Sequence, residues 1–372
     1  MDEAGWLREV ILPDSEFTLL RRTRKVPSWR TLSSGSRRKS DPHYVPPPRD
    51  VVRLEEVIVT TPTVSLGSAL ALPPQTQPVR AAALFIGGSG THDRHGIGGA
   101  IDLGYHEVLD LLASFGVASL RFDKRGAGRT KLGKDTRDAS FGQVVGDASC
   151  ALAFRRAHPE TRGVPTILIG HSEGGLVALE LAVVNTDIAG VAVLSTAGRS
   201  IDKVLADQLM QFAREANVGA STLQRWIKNQ DAFFRAVRQV PVWTPDTVSA
   251  SIFAQRHQQT WYSELLARDP LNFVSQLQCQ LLILQGDHDV QVSVGDSELL
   301  AEAAQGNGVV VEHHVLKRLD HLLKRVGKRS ANRAEYDRRR VSTAVAGLLI
   351  RWIEGLENVR SRSCKCLSGS TY

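Results

Sequence analysis

Five short apolar runs constrain the fold most: "VRAAALFIGG", "VASLRFDKRG", "VPTILIGHS", "IAGVAVLSTAG" and "CQLLILQGDHD". Each ends in glycine or polar residues, and helix-like stretches such as "LGYHEVLDLLASFG" lie between the earlier ones. Runs of this kind suit strands buried on both faces by crossover helices. The expected architecture is therefore α/β, a doubly wound and mostly parallel sheet. Upstream, "RLEEVIVTTP" and "VSLGSALALP" read as an antiparallel pair that opens the sheet. At 372 residues and 42% apolar content the chain can bury a large core.

The alternation stops between about Gly198 and Gln278, where three amphipathic, helix-like stretches follow one another. This gives a sequence division into a core over 51–198 and 279–357, an insertion over 199–278, an arm over 1–50 and a tail over 358–372. Because the insertion lies between two core strands, it is placed over their carboxyl ends as a lid. Trp226, Phe233, Phe234, Trp243 and Trp261 are candidate wall residues. For each taken singly, packing within the insertion is the favoured role. "VSTAVAGLLIRWIEGL" puts Val341, Val345, Leu348, Leu349 and Trp352 on one face of a last helix. The arm carries "RRTRKVPSWRTLSSGSRRKS" and then "PHYVPPPRD", basic, Ser-containing and proline-interrupted.

Chemistry concentrates in "LIGHSEGGLVALEL". Gly170, Ser172 and Gly174 form a G-x-S-x-G elbow between an apolar run and a helix-like run, a sharp turn that displays one hydroxyl. In that architecture an acid and then a histidine follow the serine along the chain. The late run "QLLILQGDHDVQV" supplies Asp287 and Asp289. Asp289 is preferred because, three residues past Gly286, it sits where a loop can turn its carboxylate back, with Asp287 in reserve. His313 and His314 alternate within a strand-like run, so at least one points away, whereas His321 follows in a loop and is the candidate base.

Together, "GGSGTHDR", "RFDKRGAGRT", "GHSEGG" and "QGDHDVQV" followed by "LDHLL" resemble the α/β-hydrolase superfamily in family order, over about Val51 to Leu356. The likeness is to bacterial serine esterases and serine aminopeptidase-like hydrolases with a helical lid. It implies an oxyanion hole from backbone N–H groups of Ser89, in Gly87-Gly88-Ser89-Gly90, and of Glu173. It also implies that Asp93 and Arg94 brace the oxyanion loop through a charge-assisted hydrogen bond, and that Asp123, Arg125, Gly126 and Gly128 form a structural loop. His92, His95 and His171 have no metal-binding spacing, and no glycine-rich stretch fits a dinucleotide unit, so neither metal nor cofactor is expected.

The expected activity is serine hydrolysis of a carboxylic ester with a small or medium acyl group. Peptidase, thioesterase and acyltransferase use the same triad and stay open. A reading of another class is a non-catalytic binding protein that uses the basic arm. The net charge of +7 reads as a solvated basic surface, with no specific nucleic-acid partner expected. "MDEAGWLREVILPDSE" lacks the charge and apolar length of an export signal, no run reaches membrane-spanning length, and Cys150, Cys279, Cys364 and Cys366 have no zinc-site spacing. A cytoplasmic protein is expected, and its oligomeric state has no signature here.

Overall fold

The computed structural model describes residues 43–99, 101–131, 140–239, 256–327 and 339–368, with the backbone alone for 239, 256–259 and 357–368. The basic stretches of the arm up to residue 42, Trp243, the insertion's acid Asp246 that could grip a free amino terminus, and the Cys364 and Cys366 side chains lie outside the described residues.

Two edge strands open the sheet, β1 (Arg53–Thr60) and β2 (Ser65–Leu72). The remaining core elements are β3 (Ala81–Ile86), α1 (Tyr105–Ser114), β6 (Val117–Phe122), α2 (Phe141–Ala157), β7 (Thr166–His171), α3 (Glu173–Val184) and β8 (Ile188–Leu194). A small hairpin, β4 (Ile97–Gly98) with β5 (Ile101–Asp102), sits between β3 and α1. The chain returns through β9 (Gln280–Gly286), α8 (Val294–Gly306) and β10 (Val311–Leu316), and the last helix comprises Thr343–Ser368.

The strand order is β1-β2-β6-β3-β7-β8-β9-β10. Pairing is antiparallel for β1 with β2 and β2 with β6, and parallel from β6 through to β10. All five apolar runs are thus parallel strands of one sheet, and the two upstream runs form the antiparallel edge, as their patterns require.

Alternation along β3 divides its side chains between two cores. Ala82, Leu84 and Ile86 pack with Phe141, Leu152, Val177 and Leu300 on one face. Ala81, Ala83 and Phe85 pack with Leu109, Leu112, Leu349 and Trp352 on the other. Both faces exclude water, which removes any need for polar residues along the strand. Helix starts are fixed locally: Ser140 with Gln143, and Ser293 with Asp296, form capping boxes for α2 and α8.

Between β8 and β9 lie α4 (Ile201–Glu215), α5 (Ala220–Gln239), α6 (Arg256–Leu266) and α7 (Pro270–Ser275). Trp226, Phe233 and Phe234 are buried with Leu205, Leu209 and Tyr262 in a core of their own. Trp261 lies beside them and meets Phe141 of α2 at a ring separation of 6.0 Å. Trp226, Phe233 and Phe234 pack within the inserted helices, whereas Trp261 also packs against the main core at α2. Among the described residues no helix is long and apolar enough to cross a membrane.

Candidate active site

β7 runs between β3 and β8 and ends at His171. The next residue, Ser172, has φ 53° and ψ −120°, a left-handed conformation that costs a non-glycine residue energy. Its backbone is held by N–H donation to the Leu194 carbonyl (2.8 Å) and by accepting the Gly175 N–H (3.0 Å). α3 starts immediately afterwards, with its unsatisfied N–H groups and positive dipole end at the turn.

The two outer glycines are required by close approach. A Cβ on Gly170 would lie 2.3 Å from the Gly174 carbonyl oxygen, and one on Gly174 would lie 2.1 Å from that of Ile86. Both obstacles are backbone, so Gly174→Ala must push α3 away from β3. Its expected cost is about 1–3 kcal/mol of stability, read as a lower urea midpoint. A midpoint equal to the parent's would contradict this packing.

Asp289 leaves the end of β9 and His321 lies in the turn after β10. His321 Nδ1 stands 2.8 Å from Asp289 Oδ2. Since a carboxylate only accepts, Nδ1 is the nitrogen that donates, which in the neutral ring leaves Nε2 bare. Asp289 is itself fixed: Oδ1 accepts the Gln291 and Val292 N–H groups at 2.8 and 2.9 Å, and Oδ2 also accepts from Gln285 Nε2 at 2.9 Å. Beside this pair, the rings of His171 and His321 are 4.9 Å apart, which places His321 next to the elbow. The Ser172 hydroxyl has no hydrogen-bond partner among the described residues. Such contacts commonly tighten only when substrate is bound.

The reserve candidates are occupied elsewhere. Asp287 accepts the Arg318 N–H (2.5 Å) and faces His288 Nδ1 (2.7 Å). His313 bonds Ser297 Oγ at 2.9 Å, and half-buried His314 lies near Glu312. Only His321, of these three histidines, meets Asp289.

After β3 the chain passes through Gly87 and Gly88 to Ser89, which is exposed. Neither the Ser89 N–H nor the Glu173 N–H donates to a protein acceptor among the described residues, whereas the Gly88 N–H is given to Tyr105 Oη (3.2 Å). The Glu173 carboxylate pairs with Lys124 Nζ at 3.1 Å. Asp93 folds its own loop by accepting the His95 and Ile97 N–H groups at 2.9 Å. The charge-assisted bond runs between loops: the Arg94 guanidinium meets both oxygens of the fully buried Asp123 at 2.9 and 2.8 Å. Asp123 also accepts the Arg129 N–H, tying "GTHDR" to "FDKRGAGRT".

His92, His95 and His171 do not converge. His92 faces the carbonyls of Gly88 and Asp93, and His95 stacks on Tyr44 with ring centroids 3.9 Å apart. His171 lies between Tyr105 and the His321 carbonyl. Among the described residues no group of three or more His, Cys, Asp or Glu side chains could hold a metal ion.

Sequence reasoning missed Gln285 and Tyr105. Gln285 sits inside an apolar strand run, where a buried amide is a signal of a fixed hydrogen-bonding partner. Tyr105 gave none, because an aromatic in a helix is ordinarily core.

Residues 94–324 match the family model described as serine aminopeptidase, S33. The chain is similar in fold to a proline iminopeptidase from Mycobacterium smegmatis, at 14% identity and a TM-score of 0.52, over 82% of this chain and 100% of that one. It is also similar to Est1E from Butyrivibrio proteoclasticus, solved with ferulic acid bound, at 15% identity and a TM-score of 0.51, over 81% of this chain and 98% of that one. A search of curated protein sequences found no match.

Proposed function

Because the chain belongs to the serine aminopeptidase S33 family of α/β-hydrolases, we propose that it is a serine hydrolase of carboxylic esters with a small or medium acyl group. The observation that carries this reading is the Asp289–His321 hydrogen bond at 2.8 Å beside a strained Ser172. Ser172 Oγ attacks the acyl carbon while its proton passes to His321 Nε2, and Asp289 holds the imidazole in that tautomer. The Ser89 and Glu173 N–H groups, without protein acceptors among the described residues, receive the oxyanion. Collapse expels the alcohol, which takes the proton from His321. Water then attacks the acyl-enzyme by the same route and restores Ser172. The inserted helices α4–α7 act as a lid over the strand ends.

An ester is favoured over a peptide because it asks least of the site and because, among the described residues, the insertion's acids that could grip a free amino terminus are exposed or already engaged. Glu215 and Asp231 are exposed, and Glu264 accepts the Gly142 N–H at the start of α2. Side-by-side assays with p-nitrophenyl acetate or butyrate and with aminoacyl p-nitroanilides test this. Faster ester turnover is expected; preference for the free-amine anilides would make the protein a peptidase, and turnover of neither would remove the hydrolase reading.

A further inference from the structure

Four backbone segments meet beneath the elbow through side chains that the hydrolytic steps above do not use. The Gly88 N–H donates to Tyr105 Oη at 3.2 Å, Tyr105 Oη lies 2.9 Å from His171 Nδ1, and His171 Nε2 lies 2.8 Å from the His321 carbonyl oxygen. All three bonds are buried. We propose that Tyr105 and His171 are positioning residues for the hydrolysis, a hydrogen-bonded relay that holds the oxyanion loop and the base-bearing turn in register under Ser172. The proposal rests on the serine-hydrolase reading for its chemistry, and on these contacts alone for its existence.

Every hydrogen in the relay has one available position. A carbonyl only accepts, so His171 Nε2 carries the ring proton and Nδ1 is bare. Tyr105 therefore donates its hydroxyl hydrogen to Nδ1, which leaves its oxygen to accept from Gly88. Burial, and then the neighbouring His321, lower His171 to about 3, and burial raises Tyr105, so both stay neutral near neutral pH. The groups facing His171 are Tyr105, His321, Asp289 and His92. A protonated His171 would place two donors against the Tyr105 oxygen and leave the hydroxyl hydrogen without an acceptor.

Packing makes the relay hard to replace. A Cβ on Gly88 would lie 2.9 Å from His171 Nδ1, 3.2 Å from Ser172 Cβ and 3.3 Å from Tyr105 Oη, so the loop rests directly on it. The adjacent cavity holds only about 20 Å³ and is lined by Phe85, Val108, Leu194, Leu322 and Leu323 with Tyr105 and His171. Its lining is almost wholly apolar and offers a water few partners, so water is a poor substitute for the lost hydroxyl. The functional consequence follows from where the relay ends. Gly88 precedes Ser89, the first oxyanion donor, and the accepting carbonyl belongs to the base itself.

The test compares the parent with Tyr105→Phe, His171→Leu and His171→Gln on p-nitrophenyl butyrate, with thermal midpoints measured alongside. Tyr105→Phe and His171→Leu are expected to lower kcat about 10- to 100-fold, with KM changed less than about threefold, because misplacement by a fraction of an ångström weakens the transition state more than binding. The amide of His171→Gln reaches the His321 carbonyl and is expected to recover at least about fivefold over His171→Leu. A kcat for Tyr105→Phe within threefold of the parent overturns the proposal. Equal losses in His171→Gln and His171→Leu do the same, and that pair decides if Tyr105→Phe fails to fold. Should the parent turn over neither ester nor anilide, the hydrolase reading fails and nitrogen-15 NMR judges the relay separately. A neutral His171 protonated at Nε2 between pH 5 and 8 is expected, and a ring titrating near 6.5 or protonated at Nδ1 overturns it.

Discussion

Asp289→Asn is expected to lower kcat for ester hydrolysis by about 10³- to 10⁴-fold while leaving the protein folded. The reason lies in which way the new amide must face. Asp289 Oδ1 accepts two backbone N–H groups, from Gln291 and Val292, so the asparagine has to keep its oxygen there. Its NH2 then occupies the place of Oδ2, opposite His321 Nδ1. A donor in that position forces Nδ1 to accept, and the single imidazole proton moves to Nε2, where the base must be bare. Gln285 Nε2 also donates to Oδ2, and it bonds the Val292 carbonyl, so two amide donors come to face each other. That clash is expected to take about 1–3 kcal/mol from stability as well. Steady-state kinetics beside a urea titration separates the two effects. A loss of kcat below tenfold would mean that the Asp289–His321 bond does not set the tautomer.

The second large effect concerns acid. Burial, and then the Arg121 and Arg94 cations, push His95 down to about 2, and His171 is lowered to about 3. In the unfolded chain both titrate near 6.5, so between that value and the folded one the unfolded state binds more protons. Stability therefore rises with pH in this window, and is lost as the pH falls below about 6.5. Two such histidines give a slope of up to about 3 kcal/mol per pH unit. His92, lowered to about 4 by burial and Lys124, adds less, since both its ring nitrogens face carbonyl oxygens that favour the protonated ring. Asp93 and Asp320, whose carboxyls are raised by burial, offset part of the loss at the acid end. Against a total stability of about 5–15 kcal/mol this slope is large. The thermal midpoint is expected to be flat from pH 8.5 to 7 and to fall by about 5–10 °C from pH 7 to 5. His95→Gln should flatten that fall. Equal midpoints at pH 7 and 5 would show that these rings take up protons in the fold.

Much of the site was legible because its signals are local. Strands buried on both faces leave uninterrupted apolar runs, and the elbow leaves glycines around one serine because backbone atoms of Ile86 and Gly174 approach so closely. His321 stood out from His313 and His314 by lying after β10 rather than in it. What stayed hidden depends on contacts between distant residues. Tyr105 and His171 are 66 positions apart, and His171 and the His321 carbonyl are 150 apart. Arg94 likewise meets Asp123 of another loop, 29 residues away. Near the amino-terminal end of the described chain, Tyr44 donates to Asp110 at 2.8 Å and lies beneath Arg121. A proline-rich stretch gives no hint of that anchor, because composition reports what a segment is made of and not what it rests against.

The central claim is that Ser172 is an activated nucleophile. Treating the purified protein and its Ser172→Ala variant with a fluorophosphonate probe, and locating the adduct by mass spectrometry, tests it most directly. The account predicts a single adduct on Ser172 in the parent, none in the variant, and a loss of ester turnover of about 10³-fold or more in that variant. A folded parent that takes no label, or a variant that turns over ester at the parent's rate, would contradict it.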